Sequence, residues 1–292
     1  MSKYSIWVLE YCRVEELPAS AVVYGAHNRG TLRLPFCYTL VKGPDFAALI
    51  DVGYNDVDHG RELTEMFGIS NWRDPHTVLG ECGLTPEQIT HVILTHGHFD
   101  HMGGTDLFPK ATFFIQEREL SRWVWAMSIG RRFRWLMEAV DPGDVLRVVE
   151  LARQGRLVSL EGALEDVLPH IDLYPAHESH TPGSQYVVIR NDGKRDSADV
   201  WVMAGDLIYQ FENLHGNNEA DPYYVPVGLG SGSQTNMLLA IDEMIKRAGG
   251  EMRRVIPAHE EGLKTVFPSR IAASGLRVTE IALADGEPSR VR

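Results

Sequence analysis

Apolar and polar positions along this 292-residue chain alternate between the two-residue period of strands and the longer period of helices. Residues 4–10, 37–42 and 46–51 are rich in strand formers, and Lys42-Gly43-Pro44-Asp45 supplies a turn that pairs the last two as a hairpin. Asp51-Val52-Gly53 closes the 46–51 strand. Thr85-Pro86-Glu87-Gln88 reads as an N-cap with Pro at the first helical position, so a short helix delivers the chain to a strand at 89–94. A buried strand is expected over 111–115. Residues 117–165 differ in texture. Leu120, Trp123, Trp125, Met127, Phe133, Trp135, Leu136 and Met137 lie in helix-compatible sequence, which breaks at Asp141-Pro142-Gly143-Asp144 and resumes from Val145 to Gln154. Short apolar runs then end at Met203-Ala204-Gly205-Asp206 and Val255-Ile256-Pro257-Ala258-His259. Between them stand a loop-like stretch over 215–232 and a helix from near Thr235 to Gly249-Gly250. This alternation predicts an α/β fold with two packed sheets between helical layers, one domain over 1–292 with a helical insertion at 117–165.

Composition narrows the function. A net charge of -12 argues against a nucleic-acid partner, because phosphate binding needs clustered Lys and Arg. No apolar run reaches bilayer length and the N-terminus does not read as a signal peptide, so the expectation is a cytoplasmic protein with no membrane partner. Cys12, Cys37 and Cys82 are odd in number and widely spaced, consistent with reduced, structural thiols. They have no motif context favouring nucleophilic catalysis, and no Gly-x-Ser-x-Gly elbow is present.

The candidate chemistry lies directly after the 89–94 strand. His96-Gly97-His98-Phe99-Asp100-His101 places four metal-binding side chains in six residues. Imidazole and carboxylate suit a borderline divalent cation, and a loop backed by Gly103-Gly104 lets consecutive side chains converge on one point.

The same run resembles the HxHxDH signature of the metallo-β-lactamase superfamily, and His180-Thr181-Pro182-Gly183-Ser184, Asp206 and His259 are similar to its later ligand segments. The resemblance implies a four-layer αββα sandwich, with His96, His98 and His180 on one metal, Asp100, His101 and His259 on a second, and Asp206 bridging them. Two divalent ions are implied, zinc first, with Fe, Mn and Co accepted by the same donors. Asp51 corresponds to an acidic residue that supports the metal site in that family, although a simple strand-ending turn also explains it.

Tyr209, three residues after Asp206, resembles the tyrosine of N-acyl-homoserine lactonases and pyridoxolactonase-like enzymes. Leu34-Pro35-Phe36-Cys37-Tyr38-Thr39-Leu40, His259-Glu260-Glu261 and Thr265-Val266-Phe267-Pro268 are similar to the same group. Gln185 departs from it, standing where several lactonases have a second histidine. The implied reaction opens a lactone, the small-molecule substrate, by attack of a metal-bridging hydroxide to give a hydroxy acid. Tyr209 stabilises the oxyanion and also touches substrate, while Asp100 carries the proton to the leaving alkoxide. The same donors would serve thioester, amide or phosphodiester hydrolysis. A mononuclear-iron dioxygenase or a binding module would not need all seven. Phe99 packs against substrate or core. The 117–165 segment walls the substrate pocket or forms a homodimer face, and Arg131, Arg132 and Arg134 bind a substrate carboxylate or are solvated. The 215–232 loop covers substrate or simply connects.

Overall fold

The computed structural model describes residues 2–218 and 220–292; Met1, at the N-terminus discussed above, and Glu219, within the 215–232 loop, lie outside the described residues. Among the described residues, fourteen strands build two sheets. The strands are β1 (Ser5–Pro18), β2 (Thr31–Lys42), β3 (Ala47–Ile50), β4 (Ile69–Ser70), β5 (His91–Ile93), β6 (Thr112–Gln116), β7 (Leu157–Leu160), β8 (Leu164–Leu168), β9 (Ile171–Pro175), β10 (Gln185–Arg190), β11 (Val200–Met203), β12 (Val255–Ile256), β13 (Ser269–Ile271) and β14 (Arg277–Ala282). One sheet runs β13-β14-β1-β2-β3-β5-β6-β7, with β4 paired to β1; the other runs β12-β11-β10-β9-β8. Both are mixed: β3, β5, β6 and β7 are mutually parallel neighbours, as are β11 and β12.

Alternation along single strands sets the layers. On β1, Ile6 and Val8 face the second sheet, meeting Leu173, Val187, Ile189 and Met203, while Trp7 and Leu9 face outward into the helices. On β10, Val187 and Ile189 point to the inter-sheet layer and Val188 points away, toward Ile241 and Met244 of the helix Gln234–Arg247. Three apolar layers result, helix on sheet, sheet on sheet, and sheet on helix, which is the expected αββα sandwich. The short parallel strands β3 (Ala-Ala-Leu-Ile) and the Val92-Ile93 end of β5 are buried on both faces and read as apolar runs without alternation. Among the described residues no helix is long and apolar enough to cross a membrane.

The structure revises several boundaries. β2 begins at Thr31, six residues before the expected 37–42, because Pro35 lies where β2 pairs only with β1 and its missing N–H leaves no broken ladder bond on the open side. β1 continues to Pro18 through two register shifts that disrupt the alternation. The helical stretch expected over 117–165 ends earlier. It comprises the helices Glu117–Ser128 and Pro142–Arg153 joined by a 3-10 segment, Arg131–Met137, and then gives way to β7 and β8. Parallel β6 and β7 require a long crossover, and these helices supply it. β8 is largely exposed and so lacks the apolar signature that would have marked it as a strand.

Candidate metal centre

All the candidate ligands stand at strand ends on one rim of the sandwich. Past β5, Leu94-Thr95 leads into the six-residue motif, and the short helix Phe99–Met102 starts inside it with His98 at its N-cap. That turn swings Asp100 and His101 back toward His96. Gly103 and Gly104 have ordinary negative φ and serve by closeness: a Cβ would stand 2.4 Å from Phe99 O at Gly103 and 2.4 Å from Val52 O at Gly104. The short helix can therefore dock on the end of β3, where Val52 N donates to His101 O. Gly205, at φ 53°, makes the corner after β11 that directs Asp206 inward, and a Cβ there would stand 2.8 Å from Thr95.

The seven side chains meet in two buried groups that share one carboxylate. His96, His98, His180 and Asp206 form one; Asp100, His101, Asp206 and His259 form the other. Asp206 Oδ2 lies 3.6 Å from His96 Nε2 and 3.4 Å from His180 Nε2, while its Oδ1 lies 3.0 Å from His101 Nε2 and 3.1 Å from His259 Nε2. Asp100 Oδ2 is 3.3 Å from His101 Nε2 and 3.7 Å from His259 Nε2.

Outer partners aim the imidazoles. His101 Nδ1 is 2.8 Å from Asp51 Oδ2, His180 Nδ1 is 3.0 Å from Leu229 O, and His259 Nδ1 is 2.8 Å from Pro35 O. Thr95 donates its hydroxyl to Asp51 and stands 3.0 Å from His96 Nδ1. With Nδ1 held by an acceptor, Nε2 is the nitrogen that faces the centre. His96 Nε2 and His101 Nε2 are buried and lack a hydrogen-bond partner. Unpartnered inward-facing imidazole nitrogens around a shared carboxylate fit a pair of divalent cations.

The charges agree. Burial, then neighbouring imidazoles, drive the pKa of His96 well below its ordinary value and that of His98 down to about 3, so both are neutral bases. Burial opposes charge on His101 too, but Asp206, Asp100 and Asp51 hold its pKa well above normal. Burial also works against ionised Asp206, yet His101, His259 and His96 keep its pKa well below the usual carboxylate range.

A cleft open to solvent reaches the centre. Its walls are mainly apolar: Val14, Leu17 and Phe36 from β1 and β2, Phe67, and Trp135, Leu136 and Ala139 from the 3-10 segment and its exit, joined by Glu138, with Leu229 to Ser231 on the far side. Tyr209 is buried at its floor, its ring 4.8 Å from that of His259 and 5.9 Å from that of His180. Burial, then Asp206 and Asp100, push its phenol pKa well above normal. Phe99 lines the cleft and also stacks on Phe67, ring centroids 5.6 Å apart, so it belongs to wall and core at once. Arg131, Arg132 and Arg134 are exposed and do not line the cleft, while Trp123 is buried against His98. Gln185 ties three strand ends together by donating to Leu94 O and accepting from Gln116.

Glu119 is the participant that motif reading does not single out. Fully buried, it accepts hydrogen bonds from Gly97 N, Trp123 Nε1, Thr181 Oγ1 and Gly183 N. Its signal in the sequence is a carboxylate sharing the buried face of its helix with Trp123 and Ala126, at i, i+4 and i+7.

Comparison with known proteins agrees with this geometry. A family model described as the metallo-beta-lactamase superfamily matches residues 32–248. An N-acyl homoserine lactonase of Bacillus cereus is 26% identical over 138 residues, 47% of this chain and 46% of that one. A probable metallo-hydrolase of Mycobacterium tuberculosis is 27% identical over 140 residues, 47% of this chain and 42% of its own. The matched segments thus span less than half the length of these relatives. Among solved structures, an N-acyl homoserine lactone hydrolase with N-hexanoyl-L-homoserine at its catalytic metal centre superposes with TM-score 0.65 at 18% identity, covering 91% of this chain and 97% of that one. AidC, a dizinc quorum-quenching lactonase, gives TM-score 0.62 at 18% identity, covering 97% and 96%.

Proposed function

From the premise that the chain belongs to the metallo-beta-lactamase superfamily, whose model spans most of its length, we propose that it is a dinuclear metal-dependent hydrolase that opens a lactone ring to a hydroxy acid. The observation that carries this reading is Asp206, whose two oxygens each face a different cluster of imidazoles. His96, His98 and His180 would hold one cation and Asp100, His101 and His259 the other, with zinc the expected ion. Bound there, two divalent cations supply a hydroxide from water near neutral pH and polarise the scissile carbonyl.

The protein's own groups do the rest. Tyr209, kept protonated by its buried and anionic surroundings, offers its hydroxyl to the oxyanion that forms as the carbonyl becomes tetrahedral. Asp100, beside His101 and His259, takes the proton of the attacking water and returns it to the leaving alkoxide, so one carboxylate acts as base and then acid. The apolar wall of the cleft excludes water and accommodates the uncharged body of the substrate. Two observations weigh against two of the alternatives, an iron dioxygenase and a phosphodiesterase. The paired clusters provide for two ions where a mononuclear iron enzyme needs one, and the residues lining the cleft include no Lys or Arg to hold a phosphodiester.

Asp206→Ala tests the reading. Elemental analysis of the zinc-loaded proteins should give two ions per chain for the wild type and at most one for the variant, with lactone hydrolysis lost. Two tightly held ions in Asp206→Ala would remove the bridging role.

A further inference from the structure

We propose that Glu119 is a positioning residue that holds the His96/His98/His180 half of the centre in ligand geometry, so that its loss weakens one metal site and spares the other. The inference rests on the dinuclear reading above.

The carboxylate lies between two loops that are far apart in sequence. Its Oε1 accepts from Gly97 N at 2.7 Å and from Trp123 Nε1 at 2.7 Å; its Oε2 accepts from Gly183 N at 2.6 Å and from Thr181 Oγ1 at 2.9 Å. Gly97 sits between His96 and His98, and Thr181 and Gly183 stand one and three positions after His180. The three histidines of one cluster are therefore tied through their loops to a single side chain, whereas Asp100, His101, Asp206 and His259 make no contact with it among the bonds observed. Four donors fill the acceptor capacity of an ionised carboxylate, and each oxygen receives at least one donor that cannot reverse its role. Among the described residues no cation partners it, so its place there is a hydrogen-bond hub and not an ion pair.

Both glycines are shaped to this hub. A Cβ on Gly97 would stand 2.4 Å from Trp123 Nε1, and one on Gly183 would stand 2.3 Å from Glu119 N. The helix Glu117–Ser128 thus docks against two ligand loops at backbone distance, with Trp123 packed beside His98, ring centroids 6.2 Å apart. A buried carboxylate is costly unless satisfied, and here its satisfaction requires both loops in place at once.

Glu119→Gln keeps shape and turns one acceptor oxygen into a donor facing Gly183 N–H or Gly97 N–H. Thr181→Val removes a single donor at constant volume. Zinc affinity, measured with the folded proteins by chelator competition, should fall about 10–100-fold at one site in Glu119→Gln and less in Thr181→Val, while the second affinity stays at the wild-type value. Anomalous scattering at the zinc edge should then find the remaining ion among Asp100, His101, Asp206 and His259. Two wild-type affinities in Glu119→Gln, or equal weakening of both sites, would overturn the proposal. If that variant does not fold, an unchanged pair of affinities in Thr181→Val overturns it instead. A wild type that binds no zinc would overturn the dinuclear reading, and this inference with it.

Discussion

Tyr209 and Asp206 leave the same strand end three residues apart and do different work. Asp206 lies among imidazoles that keep it ionised, whereas Tyr209 is buried beside carboxylates that keep it protonated. Tyr209→Phe should therefore lower kcat by about 100-fold, the scale of a single lost oxyanion donor, with two metal ions still bound; full turnover in that variant would take Tyr209 out of the mechanism. Asp144 offers a test of electrostatics outside the centre. Burial lifts its carboxyl to about 7, against the pull of Arg147. Its folded pKa exceeds its unfolded one, so the stabilising contribution of the protonated form is present at low pH and is lost as pH rises through 7. The unfolding free energy, read from chemical denaturation, should fall more between pH 5 and pH 8 in the wild type than in Asp144→Asn, by an amount on the order of a few kcal/mol; parallel profiles would contradict this.

Elements matter here mainly through their ends. The motif His96 to His101 was legible in the sequence because its candidate ligands crowd into six residues and follow a strand, and Asp206 and His259 because each closes an apolar run. Glu119 was not, since its role comes from Gly97 and Gly183, neighbours only in space. Phe99 was ambiguous for a similar reason: its stacking partner Phe67 lies 32 positions upstream in the sequence, and no local pattern joins them. β8 was hidden by its exposure, and the start of β2 by a proline on its unpaired side. Gly183 puts a number on how tightly one element seats another. Gly183→Ala should destabilise by about 1–3 kcal/mol, because the new methyl meets Glu119 backbone that cannot rotate away. Chemical denaturation midpoints read this directly, and an unchanged midpoint would mean that the helix Glu117–Ser128 shifts freely.

Across the whole molecule, three apolar layers hold two sheets so that their strand ends meet along one rim, and the centre draws on both. The β3 and β5 ends of the larger sheet give Asp51 and the six-residue motif; the β11 and β12 ends of the smaller give Asp206 and His259. The layered architecture was foreseeable from alternating strand and helix periods, but the cleft was not, because its wall is assembled from β1, β2, the 3-10 segment and the loop before the helix Gln234–Arg247. Among the described residues that wall is mainly apolar and includes no Lys or Arg. The most direct measurement of the central claim is proton release in weak buffer by the two-zinc protein against a panel running from long-chain acyl lactones to fused aromatic lactones. The account predicts rapid ring opening of at least one class, abolished by chelation and restored by zinc; no hydrolysis of any lactone by protein that holds both ions would contradict it.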